Sequence, residues 1–501
     1  MKSRWTWLSL CMFAGPLTAG ADFSVTTDSV ELHFSESGAL VAAAACYPRC
    51  DSGVRAAESI KRIQFGGGAG EVIGHRMTPE DWTMTPAVQG TYRVLEFEHA
   101  GGTSLTWKIP DKGYRLQLTL GGSPAAASLA VRSGTDFQPL HSAGFGRWLE
   151  QVRYVALEAR QVDFDGDRAA LDEDEARAWL TNNWAGFRNR YWALMVRPGE
   201  PARFQARTGE GRLDAALEVA LHGKVQRFDV YVGPVEPAAL AAADPALRGV
   251  LFGALWFWLR WISFALLWLL NGIHSGVAAI LPPSLSWGLS IMLLSLTVHI
   301  LMRPLSRTAE RFQDRVHAQE SRLAPELSRI RRNYRGEQQA QAVLALYRRE
   351  GVHPLYSLKS LVGVAIVIPV FIGAFDMLAE NIHLLGVSFL WIGDLSRPDA
   401  VGHLPFELPF FGAGINVLPF LMTGLSFLAS MLHRSPAQHP DLRRKQLRNM
   451  LLLAAAFFVL FYTFPSGMVL YWTTNNLISA LKGGWRHLGK PAPGAEQGEH
   501  G

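Results

Sequence analysis

The chain has 501 residues, of which 49% are apolar and 18% charged, and its formal net charge is +5. It is long enough for a water-soluble domain joined to a membrane bundle, and its composition leans toward membrane without being membrane helix throughout. The small net charge excludes little; the placement of the basic residues carries the information.

Lys2 and Arg4 precede an apolar run, Trp5–Leu17, which is broken by Gly15-Pro16 and followed by Ala19-Gly20-Ala21. A basic start, a short apolar core and an A-x-A pattern mark residues 1–21 as a secretory signal peptide cut after Ala21 or, if uncleaved, as a membrane anchor. Leu10 before Cys11 is too large for a lipoprotein site. In an exported, oxidising compartment Cys46 and Cys50, spaced CYPRC, form either a disulfide or two thiols on one loop. No second Cys/His cluster accompanies them, which argues against a metal site.

Residues 22–245 carry short alternating runs, Thr91–Phe97, Ser104–Ile109, Tyr114–Leu120 and Val225–Val232, separated by Gly, Asp and Pro clusters. Period-two alternation with frequent turns predicts an antiparallel β-sandwich, with one helix over Leu171–Leu180. His33, His75, His99, His141 and His222 are scattered without a consistent partner. Asp163, Asp165 and Asp167 imitate a calcium loop, but Asp174 stands at its twelfth position and the glycine is misplaced, so a surface acid cluster fits better.

Residues 246–285 are rich in tryptophan (Trp256, Trp258, Trp261 and Trp268) and interrupted by Arg260, which predicts an amphipathic helix lying in the membrane surface, with a membrane span as the alternative because the stretch is long enough to cross. Residues 286–305 follow as the first membrane span. Trp287 to Pro304 makes about 26 Å of helix, close to the thickness of the hydrocarbon core, and Trp287 has the place of an interfacial aromatic. His299 is the one strongly polar side chain inside it. Such a group is costly in hydrocarbon unless it faces protein or water.

Residues 307–350 hold ten Arg and six Asp or Glu. Phe312, Val316, Leu323, Leu327, Ile330 and Tyr334 recur at helical spacing, and after Arg335-Gly336 so do Val343, Leu346 and Tyr347, giving a charged helical hairpin. Further spans are expected at about 356–378, 412–432, 449–464 and 467–482, the last two joined by Pro465-Ser466-Gly467. Lys359 and Asp376 mark the ends of the second. The hairpin and the loop Arg434–Arg448 are basic, whereas Asn381–Phe411 carries Arg397 against three carboxylates. The basic loops are therefore read as cytoplasmic, which leaves the sandwich outside. Residues 483–501 read as a disordered tail.

In order and spacing several stretches are then familiar. Ser286-Trp287-Gly288-Leu289-Ser290, Arg303-Pro304-Leu305, Leu323-Ala324-Pro325, Ala345-Leu346-Tyr347 running to His353-Pro354-Leu355, Ile368-Pro369-Val370-Phe371 and Phe464-Pro465-Ser466-Gly467-Met468-Val469-Leu470-Tyr471 resemble the YidC/Oxa/Alb family of membrane protein insertases. Trp184–Pro198 looks, more loosely, like the periplasmic sandwich of its Gram-negative members. The resemblance implies a multi-domain inner-membrane protein: an exported all-β sandwich, then an α-helical five-span bundle with a cytoplasmic helical hairpin. It also implies a hydrophilic groove open to cytoplasm and lipid that hosts the polar part of an incoming segment, with no nucleotide or metal. Its partners would be nascent membrane proteins and the phospholipid bilayer, with the Sec translocon and the ribosome beside them, and no nucleic acid recognised directly.

Alignment of these stretches puts His299 where many members carry a groove arginine, with Arg303 four residues later. Val367 replaces a polar residue, the stretch from Pro354 to Pro369 is about three residues longer than usual, and Trp472 replaces an aromatic hydroxyl after Tyr471. These departures favour a specialised paralogue. The candidate groove residues are His299, Arg303, Ser295, Tyr471, Trp472, Thr473, Asn475 and Asn476; for each polar one, helix packing is the competing role. Two other functional classes remain. A membrane-anchored, carbohydrate-binding or carbohydrate-modifying sandwich would need paired carboxylates in a cleft, and a transporter would need repeated halves.

Overall fold

A computed structural model describes residues 23–50, 61–65, 71–75, 81–122, 128–132, 137, 143–150, 153–157, 167–170, 177–208, 215–220, 225–252, 259–351, 361–432 and 440–488. The signal segment, Asp163 and Asp165, His141 and His222, Lys359, and the tail beyond Leu488 lie outside these residues. Ten α-helices occur among the described residues: α1 Gly146–Leu149, α2 Pro237–Ala243, α3 Leu259–Ala278, α4 Pro283–Leu301, α5 Arg303–Asn333, α6 Gly336–Arg349, α7 Leu361–Ala379, α8 Leu418–Leu432, α9 Pro440–Phe461 and α10 Ser466–Leu488. The chain divides into two compact units. The first is formed by the described residues up to Val250 other than Ala143–Glu150, and the second by those residues and everything from Leu251 onward.

The first unit is all-β apart from α2 and a short 3-10 turn at Pro245–Val250. Two nine-stranded sheets pair antiparallel throughout. Alternation decides which faces meet. In Ser104–Pro110 the buried residues are Leu105, Trp107 and Ile109; in Arg115–Gly121 they are Leu116, Leu118 and Leu120. These side chains meet the other sheet: Trp107 packs on Phe34 at 5.4 Å and donates its indole N–H to Gly38 O at 2.9 Å, and Tyr114 donates to Cys46 O at 2.7 Å. A buried indole or phenol is tolerated there because its one polar atom is satisfied. Cys46 and Cys50 are disulfide-bonded.

The four alternating runs all form strands, but the expected helix over Leu171–Leu180 does not hold in its described part. Arg177–Thr181 is a strand, paired with Ala202–Thr208. Local helix preference there yields to a partner edge that satisfies the backbone.

On one sheet Asp229 receives both Arg115 (Nη2–Oδ2 2.9 Å) and Arg197 (Nη2–Oδ2 2.7 Å), and Arg197 also bridges to Asp244 beyond α2. Arg115 donates a further hydrogen bond to Ala243 O at 2.9 Å, so this cluster pins α2 to the strands. Asp229 is 18% exposed, whereas Arg93 and Asp111 pair on the surface at 46% and 50%. Asp229→Ala is therefore expected to destabilise the chain by about 2–3 kcal/mol, since it removes the acceptor shared by two partly buried guanidiniums and leaves each with one remaining partner, and Arg93→Ala by less than about 1 kcal/mol. Denaturant unfolding followed by tryptophan emission checks this, since Arg197 lies over Trp184 at 5.1 Å. Equal effects of the two variants would refute it.

Burial holds the Glu71 carboxyl above the ordinary glutamate range, with Arg132 drawing it partly back. A raised carboxyl contributes stability that is full below its unfolded pKa and lost as pH rises through the folded value. Glu71→Gln should flatten that part of the pH–stability curve on the acid side of neutrality. Unfolding midpoints at stepped pH measure this, and an unaltered slope would contradict the assignment.

The second unit is helical. Among its described residues α3 and α4 are long and apolar enough to cross a membrane, while the apolar parts Ile368–Ala379, Leu418–Leu432 and Leu451–Phe461 are shorter. Of the five spans the sequence expects, α4 alone reaches spanning length on this measure, and α3, expected as an interfacial helix, reaches it too. The stretch 412–432 is not helix from its start. Gly412–Asn416 is a strand paired with Ala400–Leu408, and α8 begins only at Leu418. Asn416 explains the switch, because its side chain donates to Tyr462 O at 2.7 Å and holds the strand end against the α9–α10 turn. Nor does the disordered tail begin at residue 483, for α10 runs to Leu488 with Gly483 buried in packing.

Trp287 is not an interfacial anchor. It is buried, stacked on His274 at 3.6 Å and on His383 at 5.3 Å. Arg260 is buried too and donates to Leu251 O, leaving Trp261 and Trp268 as the exposed face of α3. In the charged hairpin, Leu323 of α5 and Leu346 of α6 form a small core with Leu327, Ile330 and Tyr347, bordered by the Arg349–Glu326 pair. Tyr334, expected on that face, is exposed where it ends α5.

Candidate functional site

α4 starts with Pro283 in its first turn, where a missing N–H costs nothing, and ends at Leu301 with Met302 as its cap. Pro304 follows in the first turn of α5. Arg303 therefore opens the next helix and is exposed. α10 starts after Pro465, where Ser466 donates its N–H to Arg397 O at 2.8 Å and its hydroxyl to Asp394 O at 3.0 Å. Asn475, Ser479 and Lys482 recur on α10 at i, i+4 and i+7 and share one face.

That face meets α4. His299 Nδ1 lies 3.2 Å from Asn475 Oδ1, and Lys482 Nζ hydrogen-bonds His299 Nε2. An ammonium has donors and no acceptor, so Nε2 must accept. The proton is then on Nδ1, which donates to the Asn475 carbonyl oxygen. With Lys482 as an ammonium, the pattern corresponds to an Nδ1–H imidazole held at both nitrogens. Sequence reasoning names His299 and Asn475 but misses Lys482, which it treats as the end of a span. The signal was present in its heptad spacing from Asn475.

Ser295, one turn before His299, is buried, and its hydroxyl has no hydrogen-bond partner among the described residues. The other candidates divide. Thr473 is buried and donates back to Val469 O at 2.7 Å, which closes its account within α10. Asn476 faces away from His299 and donates to Met422 O of α8 at 3.1 Å. Trp472 belongs to an aromatic cluster, with Phe371 at 4.6 Å, Phe457 at 5.7 Å and Phe461 at 6.0 Å. Tyr471 is buried among apolar neighbours on α10. Among the described residues no group of three or more His, Cys, Asp or Glu side chains is placed to hold a metal ion.

The sandwich carries a hollow of about 590 Å³ lined by Lys108, Arg115, Gln117, Arg227 and Asp229, among others. Asp229 is the one carboxylate in that lining and is held by two arginines. The paired carboxylates of a sugar-cleaving site are not formed there.

Residues 280–486 match the family described as 60Kd inner membrane protein. Curated proteins named Membrane protein insertase YidC are similar over longer stretches. The one from Pseudomonas fluorescens is 28% identical over 353 residues, 67% of this chain and 55% of its own length. That of Paraburkholderia xenovorans is 30% identical over 376 residues (72% and 61%), and that of Thiobacillus denitrificans 27% over 471 residues (86% and 78%). The chain belongs to the YidC family. It nevertheless spans about half the length of several relatives, 55% of the first named and 42% of one from a Janthinobacterium species.

The hydrogen-bond pattern in this YidC family member predicts a single histidine tautomer. In ¹⁵N-labelled, membrane-reconstituted protein His299 should show the Nδ1–H form, and Lys482→Met should let the Nε2–H form appear. A mixture in the unaltered chain would refute the assigned donor to Nε2.

Proposed function

We propose that the chain is a membrane protein insertase and chaperone that passes apolar segments of nascent proteins into the inner membrane. The observation that supports this most is the His299–Asn475–Lys482 contact between α4 and α10. It sets a cation and two polar side chains between apolar α4 and the more mixed α10. A polar tail crossing bare hydrocarbon must leave water, at a cost of several kcal/mol for each unsatisfied group. A polar notch between α4 and α10, open to cytoplasm and lipid, shortens that path. Lys482 supplies the positive charge and His299, with Asn475, fixes its place; Ser295 extends the polar lining, and Arg303 lies at the cytoplasmic mouth.

Counting crossings supports the orientation. With the sandwich exported and the basic α5–α6 hairpin in the cytoplasm, an odd number of spans must separate them. α4 is that span, so α3 lies in the outer membrane surface despite its length, with Trp261 and Trp268 toward lipid. α7, α8, α9 and α10 complete five spans. Nascent membrane proteins are the clients, with the Sec translocon and the ribosome as further partners. No covalent step, metal or nucleotide enters. The departures at Val367 and Trp472 fit a paralogue with a narrower set of clients.

The test is rescue of cells depleted of their main insertase. The unaltered chain should restore growth and insertion of short-tailed membrane proteins. Lys482→Ala should lower rescue by about tenfold or more, as expected if about 1.4 kcal/mol of favourable interaction is lost. Lys482→Arg should retain most of it, and Arg303→Ala should cost less. Rescue by Lys482→Ala equal to that of the unaltered chain would sink the role given to the α4–α10 contact.

A further inference from the structure

The segment between α7 and α8 holds the two-stranded sheet Ala400–Leu408 and Gly412–Asn416. A lone hairpin is marginal in water, and this one is further weakened by register shifts and by Pro405. Its base is firmly held. Tyr462 donates to Gly414 O at 3.0 Å, Asn416 donates to Tyr462 O, and Leu418 N–H donates to Asp399 at 2.7 Å; in the turn itself, Phe411 packs edge-on against Tyr462 at 4.9 Å, beside the outward Phe410. Ala143 approaches Gly412, and Gly144 approaches the Phe410 carbonyl and the Thr463 hydroxyl.

The tip is the opposite of a soluble loop. Phe406 is 58% and Phe410 69% exposed, with Val401, Leu408, Ile415 and Val417 exposed around them. From Ala400 to Asn416 the titratable side chains are His403 and Glu407 alone. Phe410 has φ +66°, a left-handed conformation unfavourable for a bulky residue, and this turns its ring outward.

α8 shows what this surface meets. Its 15 residues cover about 22 Å, short of a hydrocarbon core of about 30 Å. The sequence turns polar at His433-Arg434, so α8 cannot gain apolar length at that end. Its exposed side, Phe420, Leu421, Leu428 and Met431, is continued in the chain at the other end by exposed Val417 and Ile415, from which the hairpin leads on to its tip. We propose that the β-hairpin 400–416 is a membrane-inserting element: its tip, led by Phe406 and Phe410, lies in the acyl–headgroup boundary of the leaflet at the amino-terminal end of α8 and supplies the apolar length that α8 lacks. The inference rests on the bundle reading above, in which that leaflet is the outer one.

Single-cysteine spin labels test it, in a Cys11→Ser background with the Cys46–Cys50 disulfide kept and the chain reconstituted in phosphatidylethanolamine–phosphatidylglycerol vesicles. Labels at Phe406 and Phe410 should be more accessible to oxygen than to a water-soluble nickel chelate, by several-fold, like labels at Phe420 and Leu428 of α8. A label at exposed Arg397 should show the reverse. Nickel access at 406 and 410 with lipid access at 420 and 428 would overturn the hairpin inference alone. Protection of 406 and 410 from both reagents would also overturn it, pointing to a protein cover. Nickel access at 420 and 428 as well would instead sink the bundle reading.

Discussion

The second unit depends on one constraint: a side chain that hydrogen-bonds must find its partner inside the bundle, because hydrocarbon offers none. Each polar residue of α10 meets it differently. Thr473 and Thr474 donate to carbonyls four residues back, Asn476 reaches the Met422 carbonyl on α8, and Asn475 takes His299 of α4. The first two are satisfied within α10 and impose nothing on their neighbours. The last two cross between helices and fix both the rotation and the height of α10 against α4 and α8. Lys482 is different again, since it touches His299 yet stays exposed. Its ammonium is in contact with a half-buried ring on one side and open on the other.

Much of this was legible in the sequence, and the reasons for success and failure are physical. Strands with one face inward declare themselves, as Leu105, Trp107 and Ile109 do, because period-two burial writes period-two hydrophobicity. The charged hairpin was legible for the same reason at helical period. Arg177–Thr181 was not, because its strand state comes from the edge of Ala202–Thr208, which no local window contains. Gly412–Asn416 misled because an apolar run beside a span looks like the span. What ends it is Asn416 bonding to Tyr462, 46 residues away.

The site was half legible. His299 stands out because a polar residue in an apolar helix is expensive wherever it goes. Its partner was hidden by a habit of reading lysine at the end of a hydrophobic stretch as a boundary marker. Trp472 packs among Phe371, Phe457 and Phe461, and the Thr473 hydroxyl bonds within its own helix, contacts that sequence alone does not display. Asn475 and Asn476 are adjacent in sequence and about 100° apart around the helix, so only one of the two can face α4.

The two ends of α4 differ in a way that bears on direction. At its start, Trp287 is stacked between His274 and His383, and Gly288 lies so close to Phe389 that a Cβ there would be 2.1 Å from the ring. Across from it Gly467 N–H donates to Leu395 O at 2.8 Å, closing the α10 start against the same loop. That end is packed to the limit and has no room for a passing chain. At the other end the helix stops at Leu301, Arg303 and Lys482 are exposed, and the polar contact of His299 lies just inside. Under the proposed insertase reading, a segment that exchanges water for lipid beside α4 would enter and leave by the polar end. The packed end would then act as a stop, confining the polar path to one side of the membrane.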